Sequence, residues 1–173
     1  RGSWIMKPSE IIKNQIKTEL GGRFQSQAWY RTRLFEELSK TQSEYNDSDF
    51  TDTYGIELGK IYYFSYTAKF PDRYPWYDRY PFAKLTSIDP KTGLIYGLNF
   101  HYLDPSIRGY IAEGSIDSDI PLPQKCFHSY YSAGIDQIYR VPDEDVRGSA
   151  QFVTDLFVNK YDQRVKPNKV WSS

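Results

Sequence analysis

The chain has 173 residues, enough for one domain with extended arms, and its 22 basic residues are balanced by 22 acidic ones, so it cannot coat nucleic acid through bulk charge. Hydrophobic residues make up only 39% while aromatics reach 17%, so much of any core must be built from rings. A single cysteine, Cys126, excludes an intrachain disulfide, and with two histidines and no CxxC or HExxH spacing neither a metal site, a cofactor nor an enzyme is expected. No apolar run approaches the length that spans a bilayer, and no signal-peptide pattern opens the sequence.

Residues 8–20 read as a first helix. Pro8 suits its first turn, Ile12, Ile16 and Leu20 recur at helical spacing, and Gly21-Gly22 stop it. Residues 26–39 read as a second helix, with Ser26 as N-cap and Tyr30, Leu34 and Leu38 in one row. The polar, acidic stretch 40–55 reads as a loop. The period then changes. Residues 60–67, KIYYFSYT, have strand composition, and the Pro-rich run PDRYPWYDRYP that follows reads as an ordered loop or edge excursion. Residues 82–88 and 94–100 form a hairpin around Asp89-Pro90-Lys91-Thr92-Gly93, where Gly93 supplies a positive φ. Asp104 and Pro105 open a short helix to about 112. Residues 115–134 are mixed, 135–141 form a last strand, and a helix runs from Pro142 to about 159, docking Phe152, Leu156 and Phe157 on the sheet. The tail from 160 has no periodicity and is expected to extend onto a neighbour.

The fold class is therefore α+β: a small, strongly bent antiparallel sheet or barrel, with an N-terminal helical pair, a C-terminal helix and an extended tail. The expected divisions are a helical arm (1–40), a polar linker (41–56), a single α+β domain (57–159) and the tail (160–173).

Cations gather in the N-terminal helical region: Arg23, Arg31, Arg33 and Lys40, joined by Arg1, Lys7, Lys13 and Lys17. Acids gather instead in 44–57 and 113–119, so charge is segregated along the chain. Arg73 and Arg79 are interleaved with Tyr74, Trp76, Tyr77 and Tyr80, where they can stack on rings or grip phosphates. Arg23, Arg31, Arg33, Arg73 and Arg79 are thus the candidate nucleic-acid contacts. Asp72, Asp78, Asp89 and Asp104 sit at turns or helix starts, where Asp satisfies backbone N–H groups. Asp72, Asp78 and His101 are the one acid–base grouping, and their spacing does not support catalysis.

Three motifs stand in order. They are Gly59-Lys60-Ile61-Tyr62-Tyr63-Phe64-Ser65-Tyr66, then Trp76-Tyr77-Asp78-Arg79-Tyr80-Pro81, then the run GLNFHYLDPSIR from Gly97 to Arg108. Tyr139-Arg140-Val141-Pro142 echoes them later. This array resembles the DNA end protector, or head-completion, proteins of contractile-tailed bacteriophages, over roughly residues 56–157. Trp76 and Tyr80 depart from that family's Tyr and Phe, conservatively in ring area. The resemblance implies a virion structural protein at the head vertex or tail, protecting the end of packaged DNA. Other virion proteins and the duplex end would be its partners in a symmetric multi-copy complex, without membrane. The alternative is a neck, tail or baseplate adaptor that binds only protein. Within the motifs, Tyr77, Asp78, Asn99, His101 and Arg108 read as architectural. Asp78, Asn99 and His101 would replace missing ladder partners of the Pro-rich loop, with Arg108 paired to Asp78.

Overall fold

The structure, a computed structural model, describes residues 6–42, 55–112 and 122–173. Helix α1 (Pro8–Glu19) starts where the Lys7 N–H donates to Glu10 Oε1 at 3.0 Å. Helix α2 (Gln27–Thr41) is capped by Ser26, whose Oγ accepts the Trp29 N–H at 3.1 Å. Strand β1 (Lys60–Tyr66) leads through the Pro-rich loop, which holds the two-residue β2 (Tyr77–Asp78), to the hairpin β3 (Phe82–Asp89) and β4 (Leu94–Asn99). Gly93 has φ +75° in that turn, and Asp89 accepts from the Gly93 and Lys91 N–H groups at 2.9 Å each. Helix α3 (Pro105–Ala112), β5 (Phe127–Tyr131), β6 (Ile135–Arg140), α4 (Val146–Ala150), β7 (Phe157–Val158), β8 (Arg164–Val165) and α5 (Pro167–Trp171) complete the order.

The main sheet is five-stranded and antiparallel, in the order β5-β4-β3-β1-β6, and a smaller sheet runs β2-β7-β8. Register shifts between Phe64 and Tyr66 on β1 and between Leu85 and Ser87 on β3 break the ladders. Such irregularities bend a sheet, yet this one stays open between edges β5 and β6 and does not close into a barrel. The protein is α+β.

Alternation explains the aromatic run of β1. Ile61 and Tyr63 join one core cluster with Ile12, Leu34, Phe35 and Leu38 of the two N-terminal helices. Tyr62, Phe64 and Tyr66 join a second cluster on the other face, with Leu85, Ile95 and Tyr130. A central strand buried on both faces reads as a continuous apolar run rather than an alternating one. Rings meet edge-on across it, as Phe64 and Tyr66 do against Tyr130, each with centroids 5.1 Å apart.

Three expectations are corrected. The helix expected over 142–159 is a 3-10 turn followed by the short α4, and the chain then extends into β7. Pairing of β7 with both β2 and β8, and the burial of Asp155, outweigh local helix preference there. The tail is not extended: β8 and α5 turn back, Val170 is fully buried, and the Trp171 Nε1–H donates to the His101 carbonyl at 2.9 Å. Strand β5, within the stretch read as mixed, pairs along β4 from Leu94 to Leu98. Most of the linker expected at 41–56, the acidic run at 113–119 and the helix stop expected at Gly114 lie outside the described residues.

Candidate nucleic-acid interface

The sequence motifs converge in the interior. Asp78 Oδ2 meets His101 Nδ1 at 2.6 Å and accepts from Asn99 Nδ2 at 3.1 Å, while Asp78 Oδ1 accepts the Tyr80 N–H at 3.0 Å. Asn99 Oδ1 accepts the His101 N–H at 2.9 Å, which turns the chain from β4 toward α3. Tyr77 stands apart on the opposite core face, edge-on to Tyr66. Arg108 does not pair with Asp78. Its Nη1 donates to Asp155 Oδ1 at 2.9 Å and its Nη2 to the Leu103 carbonyl at 2.7 Å. The expected pairing is corrected because Asp155, from the segment after α4, reaches the guanidinium while His101 and Asn99 occupy the Asp78 carboxylate.

This cluster has no route to a substrate: the side chains of His101 and Asp78 are 0% and 1% exposed. Asp72, the third member of the acid–base grouping, lies on the exposed Pro-rich loop. Burial pushes the Cys126 thiol up to about 11, so the free cysteine is no nucleophile near neutrality. Among the described residues, no group of three His, Cys, Asp or Glu is placed to hold a metal ion. No described helix is long and apolar enough to cross a membrane.

The five candidate arginines are dispersed. Arg33 is engaged by Gln15, Glu36 and Glu37, with both carboxylates at 2.9 Å. Arg31 lies 4.3 Å from the Tyr80 ring centroid and donates to Thr154 Oγ1 at 3.2 Å. It borders a hollow at the start of α2 with Arg164, whose Nη2 donates to Gln27 Oε1. Arg79 pairs with Asp162 at 2.5 Å. Arg73 is exposed beside Phe70, 5.7 Å from its centroid. Arg23, on the turn between α1 and α2, joins Lys13 and Lys17.

That group forms a cleft lined by Lys13 and Lys17 of α1, Arg23 and Phe24 of the turn, and Tyr30 and Phe152 behind them. Lys13, Lys17 and Arg23 are exposed, and no described carboxylate lies within ion-pair distance of them. Like charges at i and i+4 destabilise a helix by about 0.2–0.5 kcal/mol, so helix stability does not account for the lysine pair. The arrangement fits an anion presented along α1. Sequence reading noted both lysines but missed Phe24. Its signal was an apolar ring between the Gly-Gly helix stop and the Ser26 cap, in a connection too short to enter the core.

No curated protein and no solved structure matches the chain. A family match covers residues 11–117, from α1 through β4 and beyond, and so takes in Lys13, Lys17, Arg23 and Phe24 together with the Asp78, Asn99 and His101 contacts. The chain belongs to the phage T4 terminal DNA protecting protein family.

Proposed function

We propose that this protein binds and protects the end of packaged duplex DNA in the virion, at the head vertex or tail, as part of a symmetric multi-copy assembly with other virion proteins. The observation that carries the reading is that the family match includes both helices of the cleft holding Lys13, Lys17 and Arg23. A neutral chain must bind DNA through a local face rather than its whole surface. Three phosphate contacts give a log affinity against log salt slope of about −3. The test is digestion of linear duplex by an exonuclease, with and without the protein, across a salt series. Protection of ends that fades with salt, and weakens in a Lys13→Ala, Lys17→Ala, Arg23→Ala variant, is the expected result. Equal digestion with and without protein at low salt overturns the proposal.

A second reading, an adaptor in the neck, tail or baseplate that binds only protein, is favoured by the exposed Phe70 and Tyr74 flanking Arg73. Tyr and Arg concentrate at the centres of protein interfaces. Crosslinking from position 74 to another virion protein, by a chain that binds no duplex, would decide for it.

A further inference from the structure

The cleft has a feature that phosphate binding does not require. Phe24 is 97% exposed at the tip of the α1–α2 turn, the most exposed of the large hydrophobic side chains described. A ring so placed gains nothing for the fold, since it buries almost no area. The tip is nevertheless well held. Gly21 and Gly22 take φ +61° and +75°, the left-handed values that let the chain reverse directly after α1. The Gly22 N–H donates to the Ile16 carbonyl at 2.8 Å on one side of Phe24, and the Gln25 N–H donates to Tyr30 Oη at 3.2 Å on the other. Gln25 Nε2 also donates to the Arg23 carbonyl at 3.1 Å, and the Tyr30 ring stacks on Phe152 with centroids 5.7 Å apart. An exposed ring on a fixed turn is ready to bind without a large ordering cost.

Its neighbours state the chemistry of the occupant. Three cations without described acidic partners share the cleft with the ring, so the matching surface is anionic and carries a flat apolar face. Nucleic acid has both: phosphates outside and base faces within. In the interior of a duplex both faces of every pair are already stacked, and inserting a side chain costs a few kcal/mol per step. Only the last pair of a duplex offers a free face. We infer that Phe24 stacks on the open face of the terminal base pair, while Lys13, Lys17 and Arg23 hold the phosphates beside it. This rests on the DNA-end reading above and gives it a means of telling an end from an interior.

The experiment compares a blunt linear duplex with the same duplex closed by hairpin loops at both ends, each carrying 2-aminopurine in its last pair. The parent protein is expected to bind the blunt duplex more tightly and to change the terminal 2-aminopurine fluorescence. Phe24→Ala, at a position with almost no packing, is expected to lose about tenfold in affinity for the blunt duplex. It should bind the closed duplex as the parent does and leave the fluorescence unchanged, and Phe24→Trp should restore both readouts. If Phe24→Ala keeps the parent's affinity and fluorescence change, the inference is overturned while the DNA reading stands. Equal binding of blunt and closed duplex by the parent overturns it in the same way. A Phe24→Ala chain that binds both duplexes normally but fails to enter particles assigns the tip to a protein partner instead. A parent that binds neither duplex removes the DNA reading itself, and the inference with it.

Discussion

Arg108 is the largest fully buried side chain among the described residues. A buried guanidinium is costly unless its charge is paired, and here Asp155 and the Leu103 carbonyl accept from its two terminal nitrogens. Removing one partner strands the other. Arg108→Ala or Asp155→Ala is therefore expected to lower the unfolding free energy by about 3–5 kcal/mol, measured by urea denaturation. A double-mutant cycle should give a larger coupling between Arg108 and Asp155 than between Arg108 and Asp78, and the reverse order would refute the pairing. The motif residues were legible in part. Asp78, Asn99 and His101 lie on adjoining elements, within 23 positions of one another, so a turn-fixing role followed from local chemistry. Asp155 is 47 positions from Arg108, and no periodicity or spacing links them. Phe24 shows the opposite case: its neighbours in sequence were plain, but its exposure could only be seen once both flanking helices were placed.

Elements announced by local punctuation were readable. The Gly-Gly stop, the Ser26 cap and the Asp89 to Gly93 turn each satisfy or redirect backbone groups within a few residues. Strands β2, β7 and β8 are two residues each and exist only through remote partners, so no pattern in the chain marks them. How α1 docks was equally invisible. Its Ser9 N–H donates to Asp145 Oδ2 at 3.0 Å, its Oγ bonds Asp145 Oδ1, and Ser149 Oγ donates to the same carboxylate at 3.0 Å. Gly148 sits against this anchor, where a Cβ would overlap Ser9 Oγ and Asp145 Oδ1. Ser9→Ala is expected to cost about 1–3 kcal/mol by leaving a buried acceptor short of a donor. Gly148→Val should loosen α1 by steric means. Amide exchange read residue by residue should show α1, with Lys13 and Lys17, opening before the sheet; uniform protection in both variants would count against the anchor.

For the whole molecule, two buried groups, His128 and Asp145, make opposed contributions to acid stability. Burial lowers the His128 pKa below its ordinary 6.5, with the ring 4.2 Å from Tyr102 and Nε2 2.6 Å from the Lys125 carbonyl. Well above pH 6.5 both the folded and unfolded chain hold it neutral. As pH falls below that value the unfolded chain takes the proton first, so stability drops until the lowered folded pKa is passed. Burial raises the Asp145 pKa above 3.8, against the bonds from Ser9 and Ser149. The folded chain then keeps a proton that the unfolded chain has lost, so falling pH through that raised value adds stability. The urea midpoint should decline below about pH 6.5, His128→Gln should flatten that limb, and Asp145→Asn should steepen the loss at lower pH. An unchanged slope in His128→Gln would show that another group sets it. Composition alone determined that much of the core is built from rings, that charge is balanced and that an intrachain disulfide is excluded, because these are properties of the residue set and not of its arrangement. The α+β class and, to within two residues, the boundaries of α1, α2, β3 and β4 followed from the chain as well, since period and turn chemistry act over a few residues. Only the tertiary structure decided which arginines are neutralised by acids, which cations gather beside Phe24 without a described acidic partner, and that the tail returns to the core. Those outcomes depend on distances between segments far apart in the chain, where burial and charge pairing are settled by packing and no local preference reaches.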